Sequence, residues 1–324
     1  VLGLEFQRQL KFGVHIVKLV DKTAGFIERF CAYYLREAPM NKAKKPSDFL
    51  LAVDGSDHAR AATMLLEDMV GDSSCKITII GVLDTPHTPR RQLLLDAIQS
   101  AYYALQKPGR EVIYGLLHGN PAEAICHYAD EHSPELIILG AKGRRATLGI
   151  LIGGVAQQVI EYAHQPVLIV RFPYQGLKNI LATTDGSEHS LNALRFVGCL
   201  SYISPAELHI LHVTNPYPPL ESAMQPRTWL FGNDIFLPPV ASEEETKRWK
   251  ELSLEAGQQV INEALQVIQP CGMQAKTGIV SGDAATEILD YAKRNEIDLI
   301  VTGSRGLSSV QGWLLGSVSR KLVH

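Results

Sequence analysis

Gly140, Gly143 and Gly153 recur with the same spacing as Gly303, Gly306 and Gly316, and each set follows a short apolar run, 136–139 and 299–302. Upstream of each set stands an Asp-Gly-Ser sequence, Asp54-Gly55-Ser56 and Asp185-Gly186-Ser187, again at the end of an apolar run. Glycines in such a loop let the backbone approach an anion closely. The last glycine opens a helical pattern whose first N–H groups are free to point at that anion. The chemistry these residues suit is phosphate binding. The two loops are not equivalent. Ser317 follows the last glycine in the second copy, where the first copy has Gly154 and so lacks a hydroxyl at the helix start. Lys142, Arg144 and Arg145 make the first loop more cationic; in the second, Arg305 lies between the glycines and suits either a phosphate or solvent. Asp-Gly-Ser is also an ordinary turn and cap sequence, so the aspartates alone decide nothing.

The elements that must hold these loops alternate. In the first copy the sequence predicts strands at 49–54, 76–82, 111–118, 135–140 and 167–171, with helices at 57–70, 90–106, 121–132 and 153–164. The strand segments are continuous apolar runs, as expected where helices cover both faces of a sheet. Alternation of this kind implies a parallel sheet with right-handed crossovers. Asn120 ahead of Pro121, and Asp283 ahead of 284–294, read as helix N-caps. The second copy repeats the order and carries an insertion at 214–242, rich in proline, which resists both helix and central strand. The first copy ends in a fifth strand containing Val167-Leu168-Ile169-Val170. No such run follows the last helix of the second, so that unit is expected to lack its last strand, with a borrowed strand as the alternative.

Residues 1–48 lie outside the repeat. Leu10, Val17, Ala24 and Cys31 recur every seven positions, as do Phe6, Val20, Ile27 and Tyr34 with Gly13 interrupting the series, and Lys11, Lys18, Lys22, Glu28 and Arg29 fall elsewhere. This pattern predicts a long amphipathic helix followed by a linker. The expected division is therefore 1–48 helix and linker, 49–173 first domain, and 178–324 second domain.

The chain has 324 residues, enough for two cores, with 46% hydrophobic and 20% charged residues. A net charge of −3 gives no global field that would favour nucleic acid. Five scattered cysteines without a CxxC pair fit reduced packing residues better than disulfides or a zinc site. No apolar run reaches the ~18 residues of a membrane span. No cleavable leader is evident, so a cytoplasmic location is expected and direct membrane contact is not.

Taken together, Asp-Gly-Ser, Gly119-x-Pro121-Ala122-Glu123 with its counterpart Gly282-Asp283-Ala284-Ala285-x-Glu287, and the repeated glycine spacing resemble the universal stress protein family. The resemblance spans nearly all of 49–324. It implies two α/β, Rossmann-like domains, each built on a five-stranded parallel sheet of order 3-2-1-4-5. It also implies an ATP site at the switch point between the first and fourth strands, with AMP or ADP as related ligands and Mg2+ as a companion ion. Carried over, Asp185 would meet the ribose or a metal–phosphate group, and the backbone near Val213 the adenine. Gly303, Arg305, Gly306, Gly316, Ser317 and Val318 would wrap the phosphates. The corresponding set in the first copy is Asp54, Val82, Gly140, Gly143, Gly153 and Gly154. On this comparison the second copy holds the more complete site.

No Gly-x4-Gly-Lys-(Ser/Thr) loop, Gly-x-Ser-x-Gly elbow or His-x3-His pair occurs in the sequence. His58 and His189 each follow Asp-Gly-Ser and are the nearest candidates to assist hydrolysis. The leading expectation is a stress-response module that senses adenine nucleotide and reports to a protein partner or by self-association. The alternatives are a regulatory domain attached to another protein, such as a transporter, and a slow ATPase.

Overall fold

The computed structural model describes residues 15–19, 47–84, 90–144, 152–200, 206–215, 243–304, 306 and 316–323. The first unit runs through strand β2 (Asp48–Ala52), helix α1 (Asp57–Val70), β3 (Cys75–Leu83), α2 (Arg90–Leu105), β4 (Arg110–His118), α3 (Pro121–His132), β5 (Leu136–Gly140), α4 (Gly154–Tyr162) and β6 (Val167–Val170). The second runs through β7 (Asn179–Thr184), α5 (Glu188–Leu200), β8 (Glu207–Thr214), α6 (Glu243–Ile268), β9 (Ala275–Ser281), α7 (Ala284–Arg294), β10 (Leu299–Gly303) and α8 (Ser317–Val323). A short strand, β1 (His15–Leu19), precedes both.

Among the described residues the ten strands lie in one sheet of order β4-β3-β2-β5-β6-β1-β10-β7-β8-β9. The first unit thus has the parallel order 3-2-1-4-5, and the second contributes four strands in the order 3-2-1-4. The inner strands β2, β5, β6, β7 and β10 are largely apolar because both faces are covered, whereas the edge strands β4 and β9 are more polar and more exposed. On one face Leu51, Ile77 and Ile79 pack with Leu65 and Leu66 of α1, and this layer continues into Ile210, Leu194 and Ile268. On the other face Leu50, Ile80 and Ile137 pack under Ile125 and Val159, continuing into Ile300 and Ile288.

The helix starts follow their sequence signals. Asn120 Oδ1 accepts from the N–H of Ala122 at 3.0 Å, with Pro121 in the first turn. Asp283 Oδ1 accepts from the Thr286 N–H at 3.2 Å. The Lys321 ammonium, the largest influence, and both Thr286 groups hold the Asp283 carboxyl down at about 2.

The N-terminal expectation needs correction. Residues 15–19 form a strand, not part of a helix, and the remainder of 1–46 lies outside the described residues. The reason is long-range. β10 and β6 each present an edge of backbone donors and acceptors, and β1 pairs with both. It runs parallel to β10, with Val17 opposite Val301, and antiparallel to β6, with Val17 opposite Leu168. Two ladders outweigh a weak helical preference, particularly for the β-branched Ile16 and Val17. The fifth position of the second unit is therefore occupied by a borrowed strand. The proline-rich insertion falls outside the described residues over 216–242.

Candidate functional site

Two neighbouring strands build the first site: β2 delivers Asp54 and β5 delivers the glycine loop. Gly55 takes a left-handed φ of +78°, which turns the chain so that Ser56 caps α1 by accepting from the Ala59 N–H at 3.1 Å. That turn aims the Asp54 carboxylate across at the loop. Its Oδ1 accepts from the Ser56 N–H at 3.0 Å and its Oδ2 from the Arg144 N–H at 3.2 Å. The fit requires glycine at 143, where a Cβ would lie 2.8 Å from Asp54 Oδ2. Gly140 is required for a different reason. A Cβ there would lie 2.7 Å from both the His58 carbonyl carbon and the Ala59 nitrogen, in the first turn of α1.

Beyond the loop, the Gly153 N–H donates to the Ala141 carbonyl at 2.7 Å and the chain enters α4. At Gly153 a Cβ would meet nothing nearer than 3.5 Å, and at Gly154 nothing within 4 Å. Gly154 therefore borders open space, while Gly153 sits in ordinary contact with the loop. That space is a cavity of about 690 Å³ at the C-terminal ends of β2 and β5, where ligands are expected in open α/β sheets. Asp54, Val82, Gly140, Gly143, Gly153 and Gly154 all line it. Ile80, Leu83, Leu94 and Ile125 give it an apolar wall, and Arg90, Lys142 and Arg144 a cationic one. The arrangement can hold a flat apolar group at one end and an anion at the other. Sequence reasoning missed Arg90, Asp84, Leu94 and Ile125. Their only signal was position at the ends of elements flanking the switch point.

The second unit repeats the geometry. Gly186 has φ +81°, and Asp185 Oδ1 accepts from the Ser187 N–H at 3.0 Å and from its hydroxyl at 2.5 Å. Gly306 lies directly against Asp185 Oδ2, as Gly143 does against Asp54. A Cβ on Gly303 would lie 2.9 Å from backbone atoms of His189 and Ser190. The Gly316 N–H donates to the Ser304 carbonyl at 2.7 Å, matching the Gly153 bond. Ser317 is exposed at the start of α8, and Val213 and Val318 pack against the core layer. Ser319 Oγ closes the turn by donating to the Gly303 carbonyl at 2.7 Å. Arg305 and 307–315 lie outside the described residues.

His58 is held away from this chemistry. Its Nδ1 accepts from the Phe172 N–H at 2.9 Å, tying α1 to the end of β6. Burial, reinforced by Lys142 and Arg171, pushes its pKa below the ordinary 6.5, against a backbone hydrogen bond at Val170. The folded state then binds fewer protons than the unfolded one. Stability is therefore full above about pH 6.5 and falls as the pH drops beneath it. His209, buried beside Tyr291, is shifted the same way chiefly by burial and adds to this acid limb. Denaturant midpoints at about pH 7.5 and about pH 5.5 should differ less for His58→Gln than for the wild type. An equal loss in both proteins would rule out the imidazole as a contributor.

The described residues contain no helix long and apolar enough to cross a membrane. Comparison with known proteins gives one consistent result. The sequence profile of the Universal stress protein family matches residues 47–171 and again 176–324. Universal stress protein YxiE of Bacillus subtilis is 34% identical over 143 residues, which is 44% of this chain and 89% of that protein. A universal stress protein of Thermus aquaticus is 32% identical over 133 residues, 38% of this chain and 96% of that protein. Among solved structures, a universal stress protein from Archaeoglobus fulgidus superposes with a TM-score of 0.53 at 20% identity. That match covers 85% of this chain and 93% of the other, so it extends over both units and bears on the fold.

Proposed function

This chain belongs to the universal stress protein family as a tandem member, and on that premise we propose that it binds adenine nucleotide, ATP first among them, and acts through occupancy rather than rapid turnover. The observation that carries the reading is the convergence of Asp54, the glycine loop and the start of α4 on one cavity with an apolar wall. In this reading the adenine lies against Val82 and Leu83, and Asp54 takes a ribose hydroxyl. The free N–H groups in the first turn of α4, from Gly154 onward, receive a phosphate. Asp185, Val213, Gly303, Gly306, Gly316, Ser317 and Val318 do the same in the second unit, with Arg305 as a further phosphate contact. The nucleotide state would then reach a partner through the surfaces that change on binding.

Titrating the full chain with ATP by calorimetry, alongside Gly153→Val and Gly316→Val, tests this directly. Each substitution should remove one binding event and leave the other. A wild-type chain that binds no ATP at millimolar concentration would sink the proposal. Gly154→Ser supplies a companion expectation. The space beside Gly154 is open, so the hydroxyl fits. One hydrogen bond to a charged phosphate contributes about 1.5 kcal/mol or more. First-site affinity should therefore rise roughly tenfold. No gain would mean that phosphate does not reach the start of α4.

A further inference from the structure

The two glycine loops carry different charge, and the first shows what that charge faces. Lys142 lies between Gly140 and Gly143, Arg144 follows at once, and both line the cavity. The corresponding second-copy residues are Arg305 and Leu307, so one cation there stands against two here. Among the described residues no carboxylate forms an ion pair with Lys142 or Arg144. The two acids of the cavity wall are otherwise engaged. Asp84 lies 4.0 Å from Arg90, and each Asp54 oxygen accepts a backbone N–H. Arg144 is also placed: its Nη1 would lie 3.5 Å from a Cβ on Gly55, so the guanidinium folds back over the Asp54-Gly55 turn toward α2. Burial, with Arg171 close by, pushes the Lys142 pKa below the usual lysine range, as expected for an ammonium without a counter-ion.

Two cations without a carboxylate partner among the described residues, beside a row of backbone donors, constitute an anion site with charge to spare. A nucleoside triphosphate is more highly charged than a monophosphate, and a divalent cation commonly offsets part of that charge. Here the side chains already do so, while the cavity's carboxylates are poorly disposed to hold a metal. Building on the nucleotide reading above, we propose that the first cavity takes a nucleoside triphosphate as the free anion, Lys142 and Arg144 supplying the positive charge that a divalent cation would otherwise bring. Selection is then by the number of phosphates, because a monophosphate does not reach both cations.

The test uses the full chain carrying Gly316→Val, so that only the first site reports, with the wild type run in parallel. ATP and AMP are titrated in buffer with Mg2+ and in buffer with EDTA. ATP affinity in EDTA should equal or exceed that in Mg2+, and AMP should bind at least tenfold more weakly than ATP. Lys142→Gln and Arg144→Gln should each weaken ATP roughly tenfold, leave AMP nearly unchanged, and make what binding remains depend on Mg2+. Raising salt should weaken ATP binding in the parent more than in either variant. Loss of ATP binding in EDTA, or equal affinity for ATP and AMP, overturns this proposal and leaves the nucleotide reading standing. No binding in either buffer overturns both. Lys142 and Arg144 are outside the core, so unchanged thermal unfolding will separate a charge effect from misfolding.

Discussion

Gly140→Val and Gly303→Val are expected to destabilise their units severely, whereas Gly153→Val should fold normally and lose only ligand. The three glycines belong to one motif, yet the structure assigns them different work. At Gly140 the first side-chain carbon would lie 2.7 Å from backbone atoms of His58 and Ala59, and at Gly303 it would lie 2.9 Å from those of His189 and Ser190. Backbone in a helix's first turn cannot give way as a flexible side chain does. Retreat of α1 would pull Ser56 from its 3.1 Å cap bond and open the layer beneath Leu65 and Leu66. Overpacking of this kind costs about 1–3 kcal/mol for a well-placed methyl group, and the branched valine exceeds that. In domains of this size each kcal/mol lowers Tm by about 2–8 °C. Gly153 differs because the nearest atom to its Cβ would be 3.5 Å away, an ordinary contact. Denaturant midpoints and ATP titrations on the three variants separate the roles. A Gly140→Val chain as stable as the wild type would contradict the close seating of β5 against α1.

Much of the fold that holds these glycines was legible in the sequence, and what was not has a physical cause. The strand and helix order and the caps at Asn120 and Asp283 arise from local signals, apolar runs and cap residues, whereas the sheet order 3-2-1-4-5 was implied only by the family resemblance. The interlock of Asp54 with Gly143 was not legible, because it depends on β2 and β5 lying side by side so that a carboxylate at the end of one strand faces the glycine loop of its neighbour. The wall formed by Arg90, Leu94 and Ile125 was not legible, since those residues meet only after two crossovers have wound the sheet. The distinction between Gly140 and Gly153 was hidden for the same reason, because it depends on where α1 and α4 come to rest. The N-terminal strand is the largest departure. Heptad spacing counts side chains along one segment, and it is blind to an open ladder edge built by residues some hundreds of positions downstream.

That strand leads to the second large effect. β1 is the one element between β6 and β10 in the sheet order, so continuity from the first unit to the second passes through residues 15–19. Consecutive N–H groups of a strand point to opposite edges. Ile16→Pro and Val17→Pro therefore address the two ladders separately, one removing a donor toward β6 and the other a donor toward β10. Each leaves a carbonyl unpaired in a central position, at a cost of about 1–3 kcal/mol. The expected result is faster amide exchange at Val167–Val170 for one variant and at Leu299–Gly303 for the other. Both should associate more readily with rising concentration, because an uncovered β6 or β10 edge is a template for a second chain. The first cavity, formed at β2 and β5 two strands away from β1, should keep its nucleotide affinity in both variants. Exchange at both strands indistinguishable from the wild type would mean that the halves hold together without β1, leaving the fifth position as a berth and not a joint.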